Sequence, residues 1–123
     1  MTLMEAINKT DELKHNTYPQ GVKIGWLSAV DQRVKTLIMD THEGGETVLF
    51  SGYGEDAKPD TVLLIPAPFD EVYLRWLEAQ IDYHNGEIQK YNNAIELYNA
   101  AWQAYQNHYN RTHMPKGRKM KYF

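Results

Sequence analysis

The chain has 123 residues, 42% of them hydrophobic and 24% charged, with no cysteine. That is the length of one domain able to bury a core, and it excludes disulfides, thiolate catalysis and cysteine-ligated metal. The net charge of −3 hides a split: 8 basic against 16 acidic residues before Arg111, a balance of −8, then five basic and no acidic residues to the end. An acidic body argues against a broad nucleic-acid-binding face, whereas the basic end alone could meet a phosphate backbone or an acidic protein.

The opening MTLMEAINKTDELKH is polar and has no long apolar run. It reads as neither a secretory leader nor a membrane span, so synthesis in the cytoplasm is expected. Thr2 with Glu5 three residues on has capping-box spacing, and Leu3, Met4, Ala6 and Ile7 form an apolar stripe, which predicts a helix fading near Leu13. Pro19 sits where a second helix would begin, with Asn16 or Thr17 as its cap. Leu27, Val30, Val34, Leu37 and Ile38 then keep helical spacing, and His42 with Gly44-Gly45 ends the run.

Residues 47–50 (TVLF) and 61–65 (TVLLI) are β-branched and apolar, with the turn-rich SGYGEDAKPD between them. The pattern predicts a small β-hairpin insertion at about 46–65, with Val48, Phe50, Val62 and Leu64 as its contact residues under simple alternation. From Pro66 onward the apolar and aromatic positions Leu77, Ile81, His84, Ile88, Tyr91, Ile95, Tyr98, Trp102, Tyr105 and Tyr109 step by four and three. This heptad-like seam runs through Asn85-Gly86 without losing phase. It favours one long helix from about Phe69 to Arg111, roughly 60 Å at 1.5 Å per residue. An antiparallel pair turning at Asn85-Gly86 is the alternative. A continuous helix of that length would expose part of its Tyr/Trp seam, so Tyr91, Tyr98, Trp102, Tyr105 and Tyr109 are the candidate subunit-interface residues.

Signatures of chemistry are missing. The five histidines show neither the i,i+4 pairing of a helical zinc site nor HExxH, and His84 on the seam reads as a packed histidine. Gly52-Tyr53-Gly54 lacks the further glycine and helix of a dinucleotide fingerprint, and Ser28 and Ser51 lack a nucleophile-elbow context. Adjacent carboxylates (Glu55/Asp56, Asp70/Glu71) point apart rather than converging on a substrate. No catalytic, cofactor or metal residue is assigned, and a non-enzymatic protein is expected.

Several segments in order, KIGWLSAVDQRV, LLIPAPFDEVYLRWLEAQID, YNNAIELYNAAWQAYQNHYNRTH and MPKG, give the chain a resemblance to the small head–tail connector (adaptor) proteins encoded by tailed phages and prophages of Gram-positive bacteria. The resemblance covers nearly the whole chain. It implies a structural virion protein at the head–tail junction, present in the host cytoplasm during assembly. It also implies a homo-oligomeric ring of about twelve subunits matching the portal's symmetry. The partners would be the portal protein and a stopper or tail completion protein, with DNA passing through the channel without sequence-specific binding, no membrane and no cofactor. The expected fold is mainly α: a helical bundle over 1–113 with the long C-terminal helix and the hairpin insertion, and a flexible basic arm over 114–123. Met114-Pro115-Lys116-Gly117 would break the helix. Arg118, Lys119, Lys121, Tyr122 and Phe123 would contact the portal, the cations steering and the aromatics anchoring. The alternative is a small regulatory protein that binds nucleic acid through the same basic tail, which salt-sensitive binding of generic duplex DNA would reveal.

Overall fold

The structure of the protein is a computed structural model that describes residues 1–116. Helix α1 spans Leu3–Leu13 and opens as the capping box requires: Thr2 Oγ1 accepts from Glu5 N at 3.2 Å, and Glu5 Oε1 accepts from Thr2 N at 2.9 Å. Helix α2 spans Gln20–Arg33. Pro19 occupies its N-cap position, and Asn16 accepts from Tyr18 N instead of capping the helix.

Past Arg33 the helical path continues but changes pitch, as a π turn over Val34–Ile38 and a 3₁₀ turn over Met39–Thr41. A π turn adds a residue to the ring closed by each hydrogen bond and so re-phases the face that follows. Val34, Ile38 and Met39 are therefore buried, while Leu37, placed with the inward residues by regular spacing, is turned out and 56% exposed. Gly44 adopts the left-handed conformation (φ 88°) and a second 3₁₀ turn, Gly45–Thr47, follows.

The predicted hairpin is not formed: among the described residues there are no strands, only isolated bridges pairing Thr2 with Val62 and His42 with Pro115. The 61–65 backbone is satisfied elsewhere. Leu3 N donates to Thr61 O and Leu63 N to Met1 O. Leu64 N donates to the Asp31 carboxylate at 3.1 Å and Ile65 N to the Tyr73 hydroxyl at 2.7 Å. With those groups committed to the N-terminus and to side chains, no ladder with 47–50 is left to make. The inward set is also shifted by one residue: Leu63 and Ile65 are buried, Leu64 is half-buried and Val62 is 68% exposed.

The single long helix is likewise replaced. Helix α3 spans Glu71–His84, and α4 spans Ile88–Thr112. Between them Gly86 takes φ 76°, the left-handed conformation that favours glycine and lets the chain reverse. The 4–3 spacing survives only in the numbering. His84 and Ile88, which would bridge the turn on a continuous seam, are both exposed. At 1.5 Å per residue α4 is about 37 Å long, not 60 Å.

Helix α3 is the hub, packing against α4, α2 and α1. The core joins Leu3 and Ile7 of α1, Leu27 and Val30 of α2, Leu77 of α3 and Tyr105 of α4. Two buried charges are paired: Lys14 Nζ reaches both oxygens of Asp82 at 2.8 and 2.9 Å, and Lys23 Nζ reaches Asp11 at 2.8 Å and Asn16 at 3.0 Å.

Candidate assembly surface

The aromatic seam on α4 is mostly internal. Tyr98, Tyr105 and Tyr109 are buried, and Tyr91 and Trp102 are half-buried. Their partners lie in the same chain: Tyr98 against Trp76 at 4.8 Å between ring centroids, Tyr105 against Phe69 at 5.9 Å, and Tyr91 against Tyr83 at 5.4 Å. The reversal at Gly86 causes this, because it folds α4 back so that its seam meets α3 and the segments beside it. Burial pushes the Tyr105 hydroxyl up to about 12 and also raises Tyr98 and Tyr109.

Of the predicted interface set, Tyr98 and Trp102 also reach a surface groove. They line it with Arg33, Leu37 and Asn99, enclosing about 210 Å³. The Arg33 guanidinium lies 4.8 Å from the Trp76 ring centre and donates to Tyr98 OH at 3.2 Å. Beyond the groove, the outward face of α4 carries Asn93, Leu97, Ala100, Ala104 and Asn107, all exposed. Only Lys90, Glu96 and Arg111 in the whole helix are Lys, Arg, Asp or Glu.

The residues assigned to the hairpin lie on an irregular loop. Phe50, Val62 and Leu64 line an open groove of about 410 Å³ together with Leu49, Tyr53 and Ala57. Val48 packs partly on the core. Leu49 is 90% exposed, the most exposed large apolar side chain among the described residues.

One side chain holds this loop in place. Asp31, fully buried on α2, accepts from three donors: Tyr73 OH at 2.6 Å, Leu64 N at 3.1 Å and Tyr53 OH through a short bond. Burial raises the Asp31 carboxyl above its ordinary value, against the pull of those donors. Burial, then the Asp31 charge, pushes the Tyr53 and Tyr73 hydroxyls well up. Ser28 Oγ adds a bond from Tyr53 N at 3.0 Å.

The base of the C-terminal segment is also fixed. Glu43 N donates to Met114 O at 2.7 Å, Lys116 N donates to Thr41 O at 2.9 Å, and Lys116 Nζ lies 3.6 Å from Glu46. Beneath them, His42 Nδ1 is 2.6 Å from Ile38 O, which as a carbonyl can only accept, and Nε2 is 2.8 Å from Asn110 Oδ1. Arg118, Lys119, Lys121, Tyr122 and Phe123 lie outside the described residues.

The chain matches no protein-family model, no curated protein and no solved structure.

Among the described residues, no cluster of three or more His, Cys, Asp or Glu is placed to hold a metal ion, and no helix is long and apolar enough to cross a membrane. Sequence reasoning missed Asp31, Arg33 and Leu49. Asp31 had a signal: it stands four residues after Leu27 and three before Val34, so a helix that buries those two must bury the carboxylate as well. Leu49 had one too: alternation that turns Val48 and Phe50 inward turns Leu49 outward.

Proposed function

We propose that the protein is a structural subunit of a head–tail connector ring, docking on a portal and offering a surface to a stopper or tail completion protein. One observation carries the reading beyond the resemblance: the outward face of α4 is almost free of charge in an otherwise acidic body. Depletion of charge is the compositional mark of a protein–protein contact core. Leu37, Leu97 and the half-buried Trp102 supply apolar area on or beside that face. A closed ring needs two different patches that fit each other. The Arg33–Leu37–Trp102 groove and the Leu49–Val62 groove are two such patches on different elements.

In this reading no reaction is catalysed and no cofactor is used. The work is geometric: adjacent copies wedge together, DNA passes through the channel they enclose, and the basic C-terminal residues grip the portal. The destination is the virion, at the head–tail junction. The test is to mix the protein with the portal ring of the same phage and image the complexes by negative stain. Chains ending at Lys116 form the comparison, since residues 114–116 belong to the body. A symmetric collar with the full chain and none with the shortened one is expected. If neither chain binds, the connector reading fails, and retention of generic duplex DNA at low salt would then favour the regulatory alternative.

A further inference from the structure

Of the eight asparagines only Asn85 is followed by glycine. That pair can react with itself. The Gly86 nitrogen gives up its proton and attacks Asn85 Cγ; a C–N bond forms, the Cγ–Nδ2 bond breaks, and the amide nitrogen leaves as ammonia. Water then opens the five-membered ring. Opening at one carbonyl gives aspartate. Opening at the other gives isoaspartate, whose main chain runs through Cγ and is longer by a methylene. Nothing is oxidised or reduced, and solvent supplies the water. Glycine permits the attack because it has no side chain to block the approach. Asn85 is exposed, so water reaches it.

The α3–α4 turn keeps the reacting atoms apart. Gly86 N donates to Tyr83 O at 3.1 Å, and Glu87 N donates to Asp82 O at 3.0 Å. With Gly86 at φ 76°, these two bonds make the Schellman closure of α3. They commit the proton that the reaction must remove, and they hold Asn85 at ψ −8°. Ring closure needs Gly86 N eclipsed with Cβ about the Cα–C bond. Cβ stands about 120° from the backbone nitrogen around that bond, so at this ψ the attacking atom is turned about 110° away. Tyr18 OH donates to Asn85 Oδ1 at 2.6 Å. That bond draws electrons from Cγ and by itself favours attack, so the restraint comes from the backbone.

We propose that Asn85 is a site of spontaneous conversion to aspartate and isoaspartate that the closed α3–α4 turn holds shut, and that a chain converted while open cannot close the turn again. Both products place a carboxylate at the C-terminal end of α3, where the helix dipole disfavours negative charge. Isoaspartate also lengthens the chain inside the Schellman closure, so the Gly86 and Glu87 donors no longer reach their carbonyls together. The damage falls on the link between α3 and α4, the most extensive helix–helix packing in the fold. The inference does not rest on the connector reading, since it concerns one isolated chain.

The test is to incubate the full chain at neutral pH, folded and in urea above its unfolding transition. The tryptic peptide 76–90 holds Asn85 as its only asparagine, so chromatography with mass spectrometry reads both products. Conversion in the folded chain is expected to be slower by about 30-fold or more, the worth of the two backbone hydrogen bonds that must open. At urea concentrations below the transition, conversion rises in step with hydrogen exchange of the Gly86 amide. The isolated isoaspartate chain has lost exchange protection at Gly86 and Glu87. Three results overturn the proposal: equal conversion in the folded and unfolded chains, conversion that ignores Gly86 exchange, or Gly86 and Glu87 amides as protected in the isoaspartate chain as in the native one.

Discussion

Replacing Asp31 by asparagine exposes how the 48–65 loop is held. The carboxylate is fully buried and meets only donors: Tyr53 OH and Leu64 N on one oxygen, Tyr73 OH on the other. An asparagine brings one acceptor and one NH₂ group. If its oxygen takes the doubly bonded position, the NH₂ faces Tyr73 OH. That hydroxyl already accepts from Ile65 N, so it can accept again but is left with its own O–H unpaired. One buried orphan donor costs about 1–3 kcal/mol, and the two remaining bonds lose their charge assistance, about 1 kcal/mol each. Release from burying a charge offsets part of this. The expected net loss for Asp31→Asn is about 2–4 kcal/mol, a large share of a typical domain's stability.

The tyrosines grade the effect. Tyr53→Phe removes one donor and leaves the carboxylate two, so it costs about 1–2 kcal/mol. Tyr73→Phe removes a donor and orphans Ile65 N, so it costs more than Tyr53→Phe. Urea unfolding at pH 7, compared at equal m, measures all three. A loss under about 0.5 kcal/mol for Asp31→Asn, or Tyr53→Phe costing more than Tyr73→Phe, would refute this account. The pH dependence has a definite sign. Because the folded carboxyl is raised, its contribution is fullest below its unfolded value of 3.8 and declines as pH rises through the folded value. The stability gap between the native chain and Asp31→Asn therefore widens on acidification from pH 7 toward pH 4.

Three further substitutions test separate parts of the body. Lys14→Met leaves Asp82, 2% exposed, without its cation; a loss of about 3 kcal/mol is expected in urea unfolding, and a loss near zero would show that the carboxylate had found water. Thr10 Oγ1 is buried with no hydrogen-bond partner among the described residues, so Thr10→Val should raise the unfolding midpoint, by about 1 kcal/mol in stability. Gly45→Ala would place a Cβ 1.8 Å from Met39 O; it should open the 39–47 turn and release residues 114–116, read as loss of amide protection at Glu43 and Lys116.

What the sequence disclosed divides along physical lines. The Thr2–Glu5 cap, the α2 stripe as far as Val34 and the polar break before Pro19 are local, and local chemistry settled them, whereas the π turn took Leu37 off that stripe. The α3–α4 reversal at Asn85-Gly86 is the alternative rather than the favoured reading of the sequence, because arithmetic masked it. The three linking residues, 85–87, keep the four-and-three count intact, so two helices facing each other print the same pattern as one helix facing a neighbour. Only Gly86 marked the turn, and its meaning depends on the left-handed conformation it adopts. The hairpin failed for a non-local reason: the donors of Leu64 and Ile65 go to Asp31 and Tyr73, 33 and 8 residues away. Propensity of the TVLLI type says that a segment is extended, not whom it pairs with. The exposure expected of the seam went with the helix, since the reversal buries Tyr98, Tyr105 and Tyr109 and leaves Tyr91 and Trp102 half-buried.

The geometry that remains outward bears on how copies would meet. The two grooves differ in character, one lined by Arg33 with Tyr98 and Trp102, the other by mixed apolar and polar residues of an anionic loop. Neither is self-complementary: Arg33 would oppose Arg33 across a two-fold axis, and the carboxylates of 43–60 would oppose one another. Under the connector reading, unlike charges would be matched by setting the first groove of one copy on the second groove of the next, the head-to-tail contact that a ring needs. Such a contact has a signature that a two-fold dimer lacks. Leu37→Asp blocks one patch and Leu49→Asp the other, so either variant alone stays monomeric. Mixed, each supplies the patch that the other has lost, and they form a one-to-one pair that cannot grow. Native mass spectrometry or sedimentation of the mixture reads this directly. If the mixture stays monomeric under conditions where the native chain associates, or if one variant still self-associates as the native chain does, the two grooves are not partners and the contact between subunits lies elsewhere on α4.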